Sequence, residues 1–146
     1  MTSTNTIQPA AQTRTASSRT LILIGAVAAA VVVNAAIAAA ARALGASPEF
    51  QPLTPAAYIP LTIIGFLLGT AGWALIRAKT RNPARVLRVV VPVVLLLSFI
   101  PDLGLLLSGS RPGTSGGAVA ALAIMHLVVA AAALPALARA LPLQRR

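Results

Sequence analysis

Four polar side chains interrupt the long apolar stretches of this 146-residue sequence, and they are the residues best suited to chemistry. They are Asn34, Thr62, Asp102 and His126, with Ser98 four residues before Asp102. A carboxylate and an imidazole can form an ion pair or exchange a proton, and both are costly in an apolar environment unless they are paired. The pattern therefore predicts either polar contacts between helices or a small polar cavity.

Other chemistry receives little support from the sequence. The chain has no cysteine, which excludes a disulfide, a thiolate metal site and a cysteine nucleophile. One histidine and one intramembrane aspartate make an incomplete metal or haem site, so we predict no metal and no cofactor. Ser98 and Asp102 lie one turn apart on one predicted helix, which does not support a Ser-His-Asp triad with His126. We predict that the protein is not an enzyme.

The composition is that of an integral membrane protein. Hydrophobic residues make up 58% of the chain and charged residues only 10%, whereas a soluble domain has about 25% charged residues. The apolar content also excludes disorder over most of the length. A net charge of +10 could indicate nucleic acid, but the basic residues lie between apolar runs. This placement favours anionic lipid headgroups as partners, and we predict no nucleic-acid binding.

Four stretches are long enough to cross a bilayer as helices, which takes about 20 apolar residues each. We predict spans over about residues 21–41, 56–76, 89–107 and 118–137, and hence an all-α four-transmembrane-helix bundle. The first apolar stretch is longer than the core of a usual signal peptide, so we favour an uncleaved helix over a cleaved one. The predicted domains are a disordered tail 1–18, a membrane domain 19–141 and a basic tail 142–146.

The distribution of Lys and Arg predicts the orientation. Ten of the twelve basic residues fall in the N-terminal tail, in the loop between the second and third spans, or in the C-terminal tail. Only Arg42 and Arg111 fall on the other side. Basic residues favour the cytoplasmic side, so we predict a multi-pass protein of a bacterial cell membrane with both termini in the cytoplasm. The basic loop contains Arg77, Lys79, Arg81, Arg85 and Arg88.

The polar residues are predicted to form a belt at one depth. At 1.5 Å of rise per residue, Asn34, Thr62, Asp102 and His126 lie about 8–12 Å from the outer helix ends. His126 is the one plausible ionisable partner of Asp102, and Pro101 should kink the third span beside them. Two interpretations stay open: a polar contact that fixes helix register, or a cavity for a proton or substrate.

Small and aromatic residues suggest how the spans pack. Gly65, Gly69 and Gly72 share one face of the second span, which would let a neighbouring backbone approach closely. We favour packing within the chain over a homodimer. Tyr58 and Trp73 lie near opposite ends of the same span and suggest an aromatic belt at the membrane surface. The loop over about residues 42–55 is predicted to form an irregular cap on the outer surface.

The last two spans resemble a known family. The segments are SFIPDLGLLLSGS and AVAALAIMHLVVAAAALPALARAL, with Met125-His126 inside the fourth helix and Pro135 before a basic end. They resemble an actinobacterial family of small four-helix membrane proteins, the domain of unknown function 6069, over about residues 20–141. The resemblance implies an inner-membrane protein with no established activity. Ser98, Pro101 and His126 resemble recurring positions of the family.

Two functions are compatible with these features. The first is a structural or accessory membrane protein, acting through a membrane partner or as a homodimer. The second is a small transporter or proton-coupled permease that uses Asp102 and His126. Buried ionisable groups in membranes are often functional, which keeps the second hypothesis open.

Overall fold

The protein is all-helical over the part that the structure describes. The computed structural model describes the backbone of residues 9–143 and the side chains of residues 16–143. No strand occurs in this range, and a single 3-10 turn, Gln51–Leu53, precedes the second helix. The α-helices are α1 (Pro9–Ala43), α2 (Pro55–Lys79), α3 (Pro83–Ser98), α4 (Ile100–Ser108) and α5 (Gly116–Ala140).

Four helical segments are long and apolar enough to cross a membrane. They are Ala16–Ala43, Pro55–Lys79, Pro83–Ser108 and Gly116–Ala140, and the third of them consists of α3 and α4 together. Each segment contains one of the four predicted spans and extends beyond it at both ends. The prediction of an all-α protein with four candidate membrane helices is therefore confirmed.

The first helix begins earlier than the sequence predicts. Residues 9–18 belong to α1, although we assigned them to a disordered tail. Proline is favoured at the first helical position because its fixed φ suits a helix and its missing N–H is not needed there, which is consistent with a start at Pro9. Residues 1–8 of the predicted tail, and residues 144–146 of the predicted basic tail, lie outside the described residues.

Helix α5 is the central element of the bundle. It packs most extensively along α1 and also contacts α2, α3 and α4, while α2 contacts both α1 and α3. Buried alanines occur on both helices, among them Ala30 and Ala38 of α1 and Ala118 and Ala136 of α5. Small side chains let two helix backbones approach closely in a membrane, where packing rather than the hydrophobic effect drives helix association.

Two apolar cores fill the bundle, one near each end. The loop end is the end at which α1 and α4 finish, and the basic end is the end with the α2–α3 turn. The basic-end core contains Phe66, Trp73, Leu87, Ala133, Ala136 and Leu137. The loop-end core contains Ala38, Ala41, Phe50, Leu53, Tyr58, Ala118, Ala121, Leu122 and Met125.

The outer faces of the helices are apolar as well. Leu21, Leu68 and Leu107 are among many large hydrophobic side chains that remain exposed. A soluble monomer rarely exposes such a continuous apolar surface. The surface fits lipid chains, as the composition predicts.

A break at Phe99 separates α3 from α4. Phe99 keeps an N–H···O bond to Leu96 O at 3.2 Å, and Pro101 stands in the first turn of α4. Proline lacks an N–H, so Pro101 cannot donate to Leu97 O, and its ring crowds that carbonyl. The interruption therefore lies where the proline prevents one continuous helix, immediately beside Asp102.

The glycine stripe of α2 does not pack within the chain, so this prediction is wrong. Gly65 and Gly69 are exposed and Gly72 is only partly buried, and a Cβ on any of them would meet nothing within 4 Å. The buried face of α2 presents Thr62, Phe66 and Trp73 instead, among other residues. Large side chains fill the bundle here, and they turn the stripe outward.

Replacing Gly69 by alanine should leave the fold intact. The new methyl group enters open space, and alanine favours a helix by up to about 1 kcal/mol over glycine. We expect an unchanged or slightly increased free energy of unfolding in mild detergent, whereas Phe66→Ala on the buried face of the same helix should be clearly destabilising. A loss of about 1 kcal/mol or more for Gly69→Ala would show that the stripe is packed, as in a homodimer.

The two aromatic residues of α2 also face inward rather than forming a surface belt. Tyr58 and Trp73 are 8% and 7% exposed and belong to the loop-end and basic-end cores. The indole N–H of Trp73 donates to Leu141 O at 3.0 Å. This bond ties the end of α2 to the chain just after α5, which explains why the indole turns into the bundle.

Candidate functional site

A thin polar layer lies between the two apolar cores. Within residues 16–143, the buried polar side chains are those of Asn34, Thr62 and Asp102. On α2, Thr62 stands one turn from Tyr58 of the loop-end core and one turn from Phe66 of the basic-end core. The four residues placed at one depth by sequence thus occupy the boundary between the two cores.

The first contact in this layer joins α1 to α2. Asn34 Nδ2 donates to Thr62 Oγ1 at 2.9 Å, and the two residues are 1% and 4% exposed. Asn34 Oδ1 is buried without a hydrogen-bond partner among the described residues. The amide nitrogen of Asn34 thus bonds between helices, and its oxygen remains an acceptor without a donor among the described residues.

The second contact joins α4 to α5. Asp102 Oδ2 lies 3.3 Å from His126 Nδ1, and the same nitrogen lies 2.9 Å from Leu122 O. A carbonyl oxygen only accepts, so Nδ1 holds a proton and donates it to Leu122. Because the Nδ1 proton is used by Leu122 O, Asp102 Oδ2 receives no hydrogen bond from the described residues, although it lies within ion-pair distance of the ring.

The two members of this pair differ in exposure. The side chain of Asp102 is 10% exposed and that of His126 is 39% exposed. The rings of Phe99 and His126 are in edge-to-face contact, with centroids 6.0 Å apart and planes at 86°. The imidazole is therefore held between its own helix and the α3–α4 break. His126 Nε2 has no hydrogen-bond partner in the part of the chain that the structure describes.

Ser98 does not join the pair through a hydrogen bond. Its hydroxyl donates to Leu95 O at 2.6 Å, one turn back on α3. We expected Ser98 and Asp102 to share one face of a continuous helix, but the break at Phe99 lies between them. A serine hydroxyl near a helix end readily bonds to a preceding carbonyl, and this local bond takes the place of a contact with Asp102.

A buried plug at the loop end, formed by Phe50 and Leu53, was not predicted from the sequence. Phe50 and Leu53 are both 0% exposed, although we predicted an irregular cap on the surface here. Arg42 Nη2 donates to Leu53 O at 3.1 Å and fixes the segment against the end of α1. Phe50 and Leu53 are three residues apart, which places both on one side of the 3-10 turn. This spacing was the signal from which the buried segment could have been predicted.

The second loop at this end packs against the plug. Gly113 has φ +72°, and a Cβ built there would lie 2.6 Å from Ser47 Cβ and 3.2 Å from Phe50 N. Only glycine fits such a left-handed position at so close an approach. The two loops therefore meet over the loop-end core.

The opposite end of the bundle is strongly basic. The only acidic residues of the chain are Glu49 and Asp102, and neither is at this end. Among the described residues, the positive charges here therefore have no Asp or Glu side chain as a counterion. The exposed basic side chains of this end include Lys79, Arg81, Arg85, Arg88 and Arg139, and Arg77 is half-buried.

The side chains of the polar layer are suited to hydrogen bonding and proton exchange. Within the described residues, no group of three or more His, Cys, Asp or Glu could hold a metal ion. Asp102 and His126 form a single carboxylate–imidazole pair, and Asn34 adds one free amide oxygen.

The family described as "Family of unknown function (DUF6069)" has a model that matches residues 13–142. The chain therefore belongs to this family, as the resemblance of its last two spans predicts. No curated protein and no solved structure matches the chain.

Proposed function

We propose that this protein is a structural or accessory membrane protein whose polar layer fixes the register of its helices. The observation that carries the proposal is the buried bond from Asn34 to Thr62 at 2.9 Å. Helices can slide or rotate against one another in a bilayer at little hydrophobic cost, because lipid is as apolar as their own side chains. A buried polar contact penalises such movement, since it would leave its groups unpaired.

The two contacts of the layer act on different helix pairs. Asn34 and Thr62 join α1 to α2, while Asp102 and His126 join α4 to α5. Because α5 also packs along α1, the two contacts together set the relative depth of four helices. This arrangement supports a scaffold, whose surface is then free to bind a membrane partner or a second copy.

A double-mutant cycle tests whether the Asp102–His126 contact stabilises the fold. We expect Asp102→Asn and His126→Gln to show a coupling energy of about 0.6 kcal/mol or more, within the ceiling of about 1.7 kcal/mol for interhelical polar pairs. The physical reason is the 3.3 Å approach of carboxylate and imidazole. The measurement is the free energy of unfolding in mild detergent, followed through the fluorescence of Trp73, the single tryptophan.

A second cycle supplies the control. Asp102→Asn combined with Lys79→Gln at the basic end should be additive, because distant sites do not couple. Coupling near zero for Asp102 and His126, with every variant folded, would contradict a role of this pair in helix register.

A small transporter or proton-coupled permease is the second candidate. Two buried acceptors, Asn34 Oδ1 and Asp102 Oδ2, have no hydrogen-bond donor among the described residues, and unpaired buried groups often mark functional sites. Four helices enclose little volume, so this function would require a dimer. Folded variants with no coupling between Asp102 and His126 are the result that would favour it.

We also propose that the protein lies in a bacterial cell membrane with both termini in the cytoplasm. The basic end would then face anionic headgroups, which supply negative charges where the described residues have no Asp or Glu. In the cysteine-free chain, Ser110→Cys should react with a membrane-impermeant maleimide on intact cells, because Ser110 is exposed at the loop end. Ala84→Cys at the basic end should react only after permeabilisation. The reverse pattern would overturn the orientation.

A further inference from the structure

Three arginines stand together where α3 begins at the basic end. Arg85 and Arg88 lie in the first two turns of α3, and Arg81 precedes the helix by two residues. All three side chains are exposed, and no hydrogen bond or ion pair joins them to another of the described residues. Their guanidinium groups are therefore available to an anion from outside this part of the chain.

The buried side of α3 is narrow and lies away from Arg85. Pro83 and Leu87 are the buried side chains of this helix, and Leu87 belongs to the basic-end core. Successive residues of an α-helix are rotated by about 100°, so Arg85 and Val89, each two residues from Leu87, point away from the bundle. The described residues thus leave this outer face of α3 uncovered.

An apolar stripe continues from the arginines along the same face. It consists of Val89, Val93 and Leu96, which follow Arg85 at steps of four, four and three residues and are 62%, 47% and 65% exposed. At 1.5 Å of rise per residue the stripe ends about 16 Å from Arg85, close to the depth of about 15 Å of half a bilayer core. The face is therefore cationic at its start and apolar over the depth of one leaflet.

We propose that this face of α3 binds an anionic phospholipid, with the phosphate at Arg85 and Arg88 and an acyl chain along the stripe that begins at Val89. Charge complementarity selects the headgroup, because guanidinium groups bind phosphate through strong and often bidentate hydrogen bonds. The stripe selects a lipid over a free phosphate, since headgroup and chain are then bound together. The proposal rests on the placement of the basic end at anionic headgroups and names the residues that hold one of them.

A lipid bound here also fixes the third span. No side chain from residue 88 to residue 101 is buried, so the bundle itself holds this part of the chain through few packed side chains. A lipid that contacts both the arginines and the stripe adds interactions along the first half of the span. The bound lipid thus completes the packing of the helix that the rest of the chain covers least.

Competition between headgroups tests the site. The protein in mild detergent is titrated with dioleoyl phosphatidylglycerol, with dioleoyl phosphatidylcholine, which has the same chains and no net charge, and with glycerol 3-phosphate, which has no chains. Native mass spectrometry gives the dissociation constant of the first bound molecule. We expect phosphatidylglycerol to bind several-fold more tightly than phosphatidylcholine, and glycerol 3-phosphate at equal concentration not to displace it.

Two double variants that remove equal charge locate the site. Arg85→Gln with Arg88→Gln should weaken phosphatidylglycerol binding by about tenfold or more, because each cation near a membrane surface contributes about fivefold. Lys79→Gln with Arg139→Gln removes two charges from α2 and α5 at the same end and should leave most of the preference. An equal loss in both double variants would overturn the site on α3, and so would equal binding of the two lipids. Displacement by glycerol 3-phosphate would overturn a lipid as the occupant.

Photolabelling of the unaltered chain tests the same face without any variant. Phosphatidylglycerol with a diazirine in one acyl chain should label residues 89–96 of α3 more strongly than any other helix. Even labelling of all four membrane helices would overturn the proposal. Such a failure would leave the orientation and the helix register intact, because maleimide accessibility and the coupling of Asp102 with His126 test those separately.

Discussion

Replacing Phe50 by alanine should lower the free energy of unfolding by about 3–5 kcal/mol, the usual cost of removing a fully buried phenylalanine. Phe50 is 0% exposed and packs in the loop-end core with Tyr58 and Leu122. Truncation would leave a cavity under the plug, and the 3-10 turn that follows cannot easily collapse into it because Leu53 is already buried there. Unfolding in mild detergent, followed by the fluorescence of Trp73 in the other core, measures the effect.

A matched control lies six residues earlier. Leu44 is 89% exposed beside the end of α1, so Leu44→Ala should change the stability by no more than about 0.5 kcal/mol. A similarly small effect for Phe50→Ala would contradict a plug that closes the loop end. It would mean that the segment of Phe50 lies on the bundle without contributing to its core.

The plug shows where prediction from this sequence stops. The segment around Phe50 has several prolines and a glutamate, and such a composition is typical of an exposed loop. Composition does not show that the helices leave an apolar core uncovered at the loop end, which a loop then has to cover. That depends on how far apart the small residues of α1 and α5, such as Ala38 and Ala118, place the helices.

Helix length was predictable, whereas the rotation of each helix was not. Runs of apolar residues define a span, because a bilayer has a fixed thickness. Within α2, however, the glycine stripe and the face of Phe66 and Trp73 are both plausible packing faces. Nearly every residue of a membrane helix is apolar, so a hydrophobic pattern cannot select the buried face.

Depth was a better guide to the site than helix face. The rise per residue places Asp102 and His126 at similar levels, and the structure has them 3.3 Å apart. Ser98 shows the limit of this reasoning, since its relation to Asp102 depends on a continuous helix. The break at Phe99 separates Ser98 on α3 from Asp102 on α4, and the Ser98 hydroxyl donates to Leu95 O instead.

The second large effect is expected at the contact between the two loops. Gly113→Ala should lower the free energy of unfolding by about 2–4 kcal/mol, since it combines a left-handed backbone with overpacking. Gly113 has φ +72°, and its new Cβ would lie 2.6 Å from Ser47 Cβ. The backbone nitrogen of Phe50 at 3.2 Å limits any shift that could relieve the clash. The same detergent unfolding experiment measures the loss.

A double variant separates the two causes. Ser47→Gly removes both side-chain atoms that crowd Gly113, so adding it to Gly113→Ala should recover the overpacking part, about 1–3 kcal/mol, and leave the backbone strain. Ser47→Gly alone corrects for the lost bond from Glu49 N to Ser47 Oγ. Gly117→Ala, where a Cβ meets nothing within 4 Å, is the control for a harmless substitution. If Ser47→Gly restored nothing, Ser47 would not crowd Gly113, and the close contact between the two loops would be contradicted.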